Sequence, residues 1–477
     1  MDFIAMIARN RQSNSKSKTD ESIVNRDSAA TTSVMKPPVA DEPRFVGIDL
    51  HKEIAVFHII TKEGVSIEEG KFFVKPDRIL EFAAERLKPV DRVAIEATTN
   101  TWAFIRMIRH YVDTIVVSNP LKTKAIAEAN IKTDKVDALV LAQLLRCDFL
   151  PGVWQPGPAA EHNRSLAARR TALVGQRTAI RNRIHAVLAQ RLIAPPATGL
   201  FSTAGLDWLI NLELDPLGRA LVDSDLRLLT SLDQESDVID NMIIQECYED
   251  PDINLLMTMP GIDYTTAHAL KATIADVDRF PDPDKAASYL GLVPSVKQSA
   301  GKRHNGPITK AGSSQARWLM VQAAQSVGKH PGPLGAFFRK LAKRKNRNVA
   351  VVATARKMVT IAWHMLKNKE PYRYATSRCT DEKIARLRVR ATGEKRKTGP
   401  AKGTKRESKS GSGQTRTIKS LDEVYDRQGP PPRGSLSDGE RKMIEASGTQ
   451  GFVKSLDTEH VIPKKRKQTA EIAIDAV

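Results

Sequence analysis

The sequence predicts an α/β domain followed by an all-α region, with disordered segments at both ends. Three observations lead there. Between Phe45 and Val117, short apolar runs first follow one another directly and then alternate with helix-period stretches, as in an α/β sheet. Beyond Pro158 the apolar residues recur mainly at helical spacing. Outside these limits the chain turns polar or rich in Gly, Ser and Pro, a composition with too little apolar surface to offset the entropy of ordering.

Residues 1–42 are rich in Ser, Thr, Asn and Asp after a short apolar start, and read as a disordered extension. The α/β domain spans 43–157. Phe45-Val-Gly-Ile-Asp-Leu50 reads as a buried strand that carries Asp49 near its end, Glu53–Ile60 as a second strand, and Gly64–Val74 as a third. Asp77–Leu87 presents Ile79, Leu80, Phe82, Ala83 and Leu87 at helical spacing. Arg92–Ala97 is a strand with Glu96 near its end. A helix from Thr101 to Tyr111 precedes the strand Thr114–Val117, and Asn119-Pro120 opens the next helical stretch. A strand that ends in an acid delivers it to the sheet edge where ligands of open α/β sheets gather.

Asp134 and Asp137 lie three residues apart in that stretch, so a helix sets both carboxylates on one face. Like charges so close repel, and a divalent cation such as Mg²⁺ would relieve them. The same spacing suits a solvated helix face screened by Lys132 and Lys135. Asp49 and Glu96 are costly to place after buried strands unless something neutralises them.

Residues 158–250 read as a helical coiled-coil linker, because Leu166, Leu173, Ile180 and Val187 repeat every seven residues. Arg170 and Arg177 interrupt the seam, and a helix hairpin packed on itself fits the same pattern. In residues 251–373, Leu255–Leu270 reads as helix, Pro-Gly turn and helix. This is a helix-hairpin-helix-like element whose turn amides suit a phosphate, although Asp263 in the turn opposes one. The following Ser288–Arg303 leads through Gly306–Gly312 into further helices. Residues 374–477 are Gly-, Ser-, Pro- and Lys-rich, include Pro463-Lys-Lys-Arg-Lys467, and read as a basic disordered tail.

The net charge of +19 points to a polyanionic partner, nucleic acid before membrane. It is localised: residues 297–357 hold 14 Lys or Arg and no acid. Lys297, Lys302, Arg303, Lys310, Arg317, Lys340, Lys343, Arg344, Lys345 and Arg347 are the candidate nucleic-acid contacts from this stretch. Residues 161–191 add seven Arg against one Glu. Three distant cysteines fit a reducing cytoplasm and exclude a disulfide scaffold or zinc module. With no signal-type leader and no run of 18 apolar residues, a soluble protein is expected.

Gly47-Ile-Asp-Leu-His-Lys52, Ile95-Glu-Ala-Thr98, Asn119-Pro120 and Lys132-Thr-Asp-Lys-Val-Asp-Ala138 resemble, in order, the amino-terminal domain of the "one-ten / eleven-eleven" family of insertion-sequence transposases. The resemblance covers about Phe45 to Tyr372. It implies a RuvC-like, ribonuclease-H-like domain whose Asp-Glu-Asp-Asp metal tetrad is Asp49, Glu96, Asp134 and Asp137, binding Mg²⁺ or Mn²⁺. It also implies a carboxy-terminal transposase domain in which Ser299 attacks DNA, with Ala300 where the family commonly has glycine. A guide RNA encoded by the element, a coiled-coil homo-oligomer and a place in the bacterial cytoplasm at the nucleoid follow from the same likeness. Two other functions fit the residues: a metal-dependent structure-specific nuclease in which Ser299 is idle, and a non-catalytic nucleic-acid-binding protein.

Overall fold

The computed structural model describes residues 42–126, 133–299, 302–394 and 415–463, in two compact units that divide between Gln155 and Pro156. In the amino-terminal unit β1 (Phe45–Leu50), β2 (Ile54–Ile60) and β3 (Ser66–Phe73) form an antiparallel meander. Then come α1 (Pro76–Arg86), β4 (Arg92–Glu96), α2 (Thr101–Ile108), β5 (Thr114–Ser118), α3 (Pro120–Ile126) and α4 (Asp134–Arg146). The sheet order is β3-β2-β1-β4-β5, with β4 parallel to β1 and β5 parallel to β4.

The period of two along the strands decides what each face holds. Val46, Ile48, Val93 and Ile95 pack with Phe82 and Phe104 on one side. Phe45 and Ala94 meet Leu141, Ala142 and Leu145 of α4 on the other. Gly47 lies on this second face, and a Cβ there would stand 1.9 Å from the Ala138 carbonyl oxygen. Only glycine lets α4 sit this close to β1. Asp49 and Glu96 continue the α4 face, one step beyond the paired residues Ile48 and Ile95.

The carboxy-terminal unit begins with α5 (Pro158–Ala189), α6 (Thr203–Asn211) and α7 (Pro216–Tyr248). The expected coiled-coil linker is an antiparallel hairpin closed within the chain. Arg170 pairs with Asp240, Arg177 with Asp233 and Arg183 with Asp225, each at 2.5 Å, and Arg191 pairs with Asp215. Numbers rise along α5 as they fall along α7. The heptad residues Leu166, Leu173, Ile180 and Val187 are all buried in this unit. The arginines expected beside nucleic acid are thus largely engaged by protein. Arg164 donates to the carbonyls of Ala272 and Thr273, and Arg181 stacks over Phe201.

Next are α8 (Pro251–Met257), α9 (Tyr264–Ile274), α10 (Pro283–Tyr289), β6 (Pro294–Ser299), β7 (Lys302–Ile308), α11 (Ser314–Val327), α12 (Pro333–Arg344) and α13 (Arg347–Asn368). Among the described residues α13 is the one helix long and apolar enough to cross a membrane, and its apolar side is buried in the core. The same core takes in Leu166 and Ile243, so residues 158–250 are not packed apart from those that follow.

The helix–turn–helix of α8 and α9 is present, but as a core element and not an open phosphate cradle. Met259 and Ile262 are fully buried, and Gly261, at φ +80°, packs on the Ala323 carbonyl. Asp263 caps α9 by accepting from the Tyr264 amide. The buried Lys383 ammonium donates to the carbonyls of Met257, Met259 and Ile262, and burial pushes its pKa down to about 8.

Lys383 belongs to a segment expected to be disordered, and here the structure corrects the expectation. After 374 the chain forms α14 (Ser377–Thr392), β8 (Thr415–Ile418), α15 (Leu421–Gln428), α16 (Asp438–Ser447), α17 (Gln450–Ser455) and β9 (His460–Pro463). Leu421 and Tyr425 are fully buried in the main core, and the Tyr425 hydroxyl donates to the Tyr372 carbonyl at 2.6 Å. Few apolar residues suffice because they are large and regularly spaced. Arg433, inside Gly429-Pro-Pro-Pro-Arg433, grips Asp422 and Asp457 and fixes the proline stretch. The extension of residues 1–41 and the Lys464-Lys-Arg-Lys467 cluster lie outside the described residues.

Candidate functional site: an acidic cluster and a basic, serine-bearing surface

The acids gather where β1 and β4 end and α4 begins. Thr133 opens α4: its hydroxyl accepts from the Val136 amide, and Asp134 and Asp137 fill the first turn, where the helix dipole favours negative charge. Ala138, Leu141, Ala142 and Leu145 continue the side of α4 that Asp134 opens and seat it on the sheet, which brings the acids over the end of β1. Asp49 is 5% exposed, whereas the Asp134 side chain is 62% exposed, so the cluster has a buried floor and an open mouth.

His51 stands between them, its Nε2 3.1 Å from Asp49 Oδ2 and 3.5 Å from Asp134 Oδ1. These three donors lie within 4.8 Å of one another. Burial raises the Asp49 pKa above its ordinary 3.8; His51 opposes the rise, and the charges of Asp134 and Asp137 reinforce it. Glu96, half-buried, follows the last β1–β4 pair and so ends its strand beside Asp49. Its carbonyl accepts from the Thr101 hydroxyl at 2.9 Å. Asn100 Nδ2 donates to the His51 carbonyl at 3.0 Å and ties the loop after β4 to the one after β1.

The sequence reading missed His51 and Asn100. The signal for His51 was its place two residues after Asp49. Nothing local in the sequence announces the reach of Asn100 back to it. Lys132 lies outside the described residues, and Lys135 pairs with Glu69 of β3.

Ser299 belongs to the other unit. It ends β6 opposite Lys302, in an exposed hairpin where Lys297 faces His304 and Gln298 faces Arg303. Among the described residues no side chain hydrogen-bonds to it, and His304 sits diagonally across the ladder. Ala300, Gly301 and the Arg303 side chain lie outside the described part of the structure. Lys310 is exposed in a left-handed conformation at φ 55°. Arg317 is an internal fastener, its Nη1 donating to the carbonyls of Leu290 and Ala311. Lys340, Lys343, Arg344, Lys345 and Arg347 crowd the corner between α12 and α13, all exposed and without an acid partner among the described residues.

An α/β unit with acids converging at its strand ends, followed by a helical unit with an acid-free cationic surface, defines a nucleic-acid-processing protein. The chain carries both transposase domains of the IS116/IS110/IS902 family and is a DNA transposase. Residues 46–193 match the family model described as a transposase of the IS110 type with the Asp-Glu-Asp-Asp set, and residues 253–339 match that described as "Transposase IS116/IS110/IS902 family". The chain is 25% identical over 339 residues to a "Probable family 20 transposase" of Pseudomonas aeruginosa, covering 69% of this chain and 98% of that protein. It is 26% identical over 332 residues to the "Transposase for insertion sequence element IS1328" of Yersinia enterocolitica, covering 67% and 95% respectively. It is also 27% identical over 296 residues to a "Pilin gene-inverting protein" of Moraxella bovis, covering 58% and 80%.

Proposed function

We propose that this transposase cuts and rejoins DNA with two chemistries, a divalent-metal site of Asp49, Glu96, Asp134 and Asp137 and a nucleophilic Ser299. The observation that carries the first is Asp49, a nearly inaccessible carboxylate held beside two further acids where its own charge is disfavoured. Such a group is costly to keep unless a cation offsets it. The donor set fits: carboxylate oxygens suit Mg²⁺ or Mn²⁺, and a neighbouring imidazole is better tolerated by Mn²⁺. When bound, the ion supplies Lewis acidity to the phosphoryl oxygens.

The chain's own residues do the positioning. The sheet anchors Asp49 and Glu96, α4 presents Asp134 and Asp137, and Asn100 holds the His51 backbone. Lys297 and Lys302 flank Ser299 with positive charge for a phosphate. In the serine step the Ser299 oxygen bonds to phosphorus as the phosphorus bond to the neighbouring deoxyribose oxygen breaks. The serine proton goes to the released hydroxyl. The phosphodiester energy stays in the protein–DNA link, so rejoining needs no nucleotide.

We read the amino-terminal unit as ribonuclease-H-like, supported by the three-stranded meander continued by two parallel strands with acids at their ends. An element-encoded guide RNA, and a homo-oligomer in which the acids of one subunit serve the serine of another, belong to the same proposal, as does action in the cytoplasm at the nucleoid. The exposed cations of α12 suit DNA and RNA equally.

Incubation with donor DNA and Mg²⁺ or Mn²⁺ is expected to yield a denaturation-resistant protein–DNA adduct that Ser299→Ala loses. Asp134→Asn and Asp137→Asn are expected to lose cleavage and keep DNA binding. Cleavage intact in Ser299→Ala, with no adduct in wild type, would leave a metal-dependent nuclease. Cleavage intact in both aspartate variants would remove the metal role of these acids, and binding without any cleavage by wild type would leave a binding protein only.

A further inference from the structure

The carboxy-terminal unit contains a cavity of about 780 Å³ that neither the acids nor Ser299 touches. Its size falls in the range of small-ligand sites, roughly 300–1,000 Å³. One wall is a stripe of α12 with Leu334, Phe337 and Lys340, and another a stripe of α13 with Lys357, Ile361 and Met365. Tyr372 and Tyr374 close the floor, both buried. The third wall is α16, with Met443 and Ala446. It lies outside both family-model matches, in the segment whose composition suggested disorder.

The charges are unevenly satisfied. The two acids of the lining, Glu370 and Glu440, are both bound by Arg373, at 3.1 and 2.6 Å. Glu440 is further held by the Tyr374 hydroxyl at 3.2 Å. Lys340 and Lys357 are exposed and have no acid partner among the described residues. Lys340 also continues into Lys343 and Arg344 along α12. The Met443 side chain remains 40% exposed on a concave surface. An aromatic and thioether slot with unpaired cations at its mouth, continuous with a phosphate-attracting helix, is the chemistry that receives an unstacked base while binding its backbone. A purely apolar occupant would leave both lysines unused.

We propose that this cavity captures a single nucleobase extruded from the bound nucleic-acid strand, with Phe337 and Met443 against its face and Lys340 and Lys357 on the adjoining phosphates. The proposal rests on the nucleic-acid-binding part of the function above and is independent of the metal and serine chemistry. The strand is DNA or guide RNA, and the chemistry is common to both.

The test uses the full chain and short oligonucleotides carrying 2-aminopurine at one unpaired position, as deoxy- and ribo-versions, alongside a fully paired duplex. Wild type is expected to change the 2-aminopurine emission on binding, and the better-bound sugar type identifies the strand. Ala446→Trp fills the cavity from an exposed position and so spares the core; Phe337→Ala removes the aromatic wall. Both are expected to weaken the emission-detected binding tenfold or more while duplex affinity, read by anisotropy, stays within twofold. An emission change that both variants preserve overturns the proposal, as does binding by wild type with no emission change. Equal losses on oligonucleotide and duplex also overturn it, leaving a merely cationic surface. Failure of wild type to bind any nucleic acid removes the functional reading and this cavity's role together. An adduct lost in Ser299→Ala with base capture intact separates the two.

Discussion

Replacing Gly47 by alanine is expected to cost this enzyme more in activity than in stability. The added Cβ would lie 1.9 Å from the Ala138 carbonyl oxygen and 2.7 Å from the Ala142 nitrogen. Real Cβ contacts essentially never fall below 3.0 Å, so α4 must withdraw from β1 by at least 1.1 Å, the difference from 1.9 Å. Both opposing atoms are backbone, so no change of rotamer relieves the clash. Overpacking of this kind costs about 1–3 kcal/mol, which lowers the melting temperature of a unit this size by roughly 3–10 °C. The larger effect falls on chemistry. Ala138 directly follows Asp137, so the shift carries Asp134 and Asp137 away from Asp49, which the sheet holds still. A misplacement of about 1 Å commonly costs on the order of 10²-fold in rate. Donor-DNA cleavage at saturating Mg²⁺ should therefore fall about a hundredfold in Gly47→Ala protein that remains folded below its lowered melting point. Activity within threefold of wild type, despite the expected fall in melting temperature, would refute the claim that the α4–β1 seat positions the acids.

Three further outcomes are expected. Because the Asp49 pKa is raised above 3.8, its protonated form favours folding. Without metal, that stabilisation is complete below 3.8 and is lost as pH rises through the folded value; melting curves should show Asp49→Asn removing this loss, and divalent metal offsetting it in wild type only. His330 is the opposite case: burial, with Arg339 and Lys383 nearby, holds it neutral and pushes its pKa from 6.5 down to about 4. Its contribution of about 3 kcal/mol is present above pH 6.5 and lost as pH falls through 4, and His330→Gln should flatten the fall in melting temperature over that window. Tyr425→Ala should destabilise the protein by about 3–5 kcal/mol in denaturant titrations, whereas a disordered tail would tolerate it without effect.

Much of the amino-terminal unit was legible because strand and helix periods differ and the motifs are local. The runs at Phe45, Ile54 and Arg92 are strands, and Asp49, Glu96, Asp134 and Asp137 stood out as acids beside apolar runs. The carboxy-terminal unit was less legible. A seven-residue repeat says that a stripe will be buried, and tertiary structure chose the partner, α7, through acids some 25 to 70 residues away that answer each arginine. The β6–β7 hairpin around Ser299 was not legible as strands, since strands this exposed carry no apolar alternation. The tail from 374 looked disordered because composition averages over it, while its folding depends on a few buried anchors such as Tyr425 and on Lys383 reaching the α8–α9 turn.

The sequence by itself determined the family, the α/β pattern of the first unit and which acids end its strands, since period and residue type are properties of neighbours along the chain. Only the tertiary structure decided that His51 lies between Asp49 and Asp134, that the heptad stripe is buried within its own chain, and that the basic tail walls a cavity. These are meetings of residues distant in sequence, set by burial and charge pairing across elements, and no local pattern encodes them.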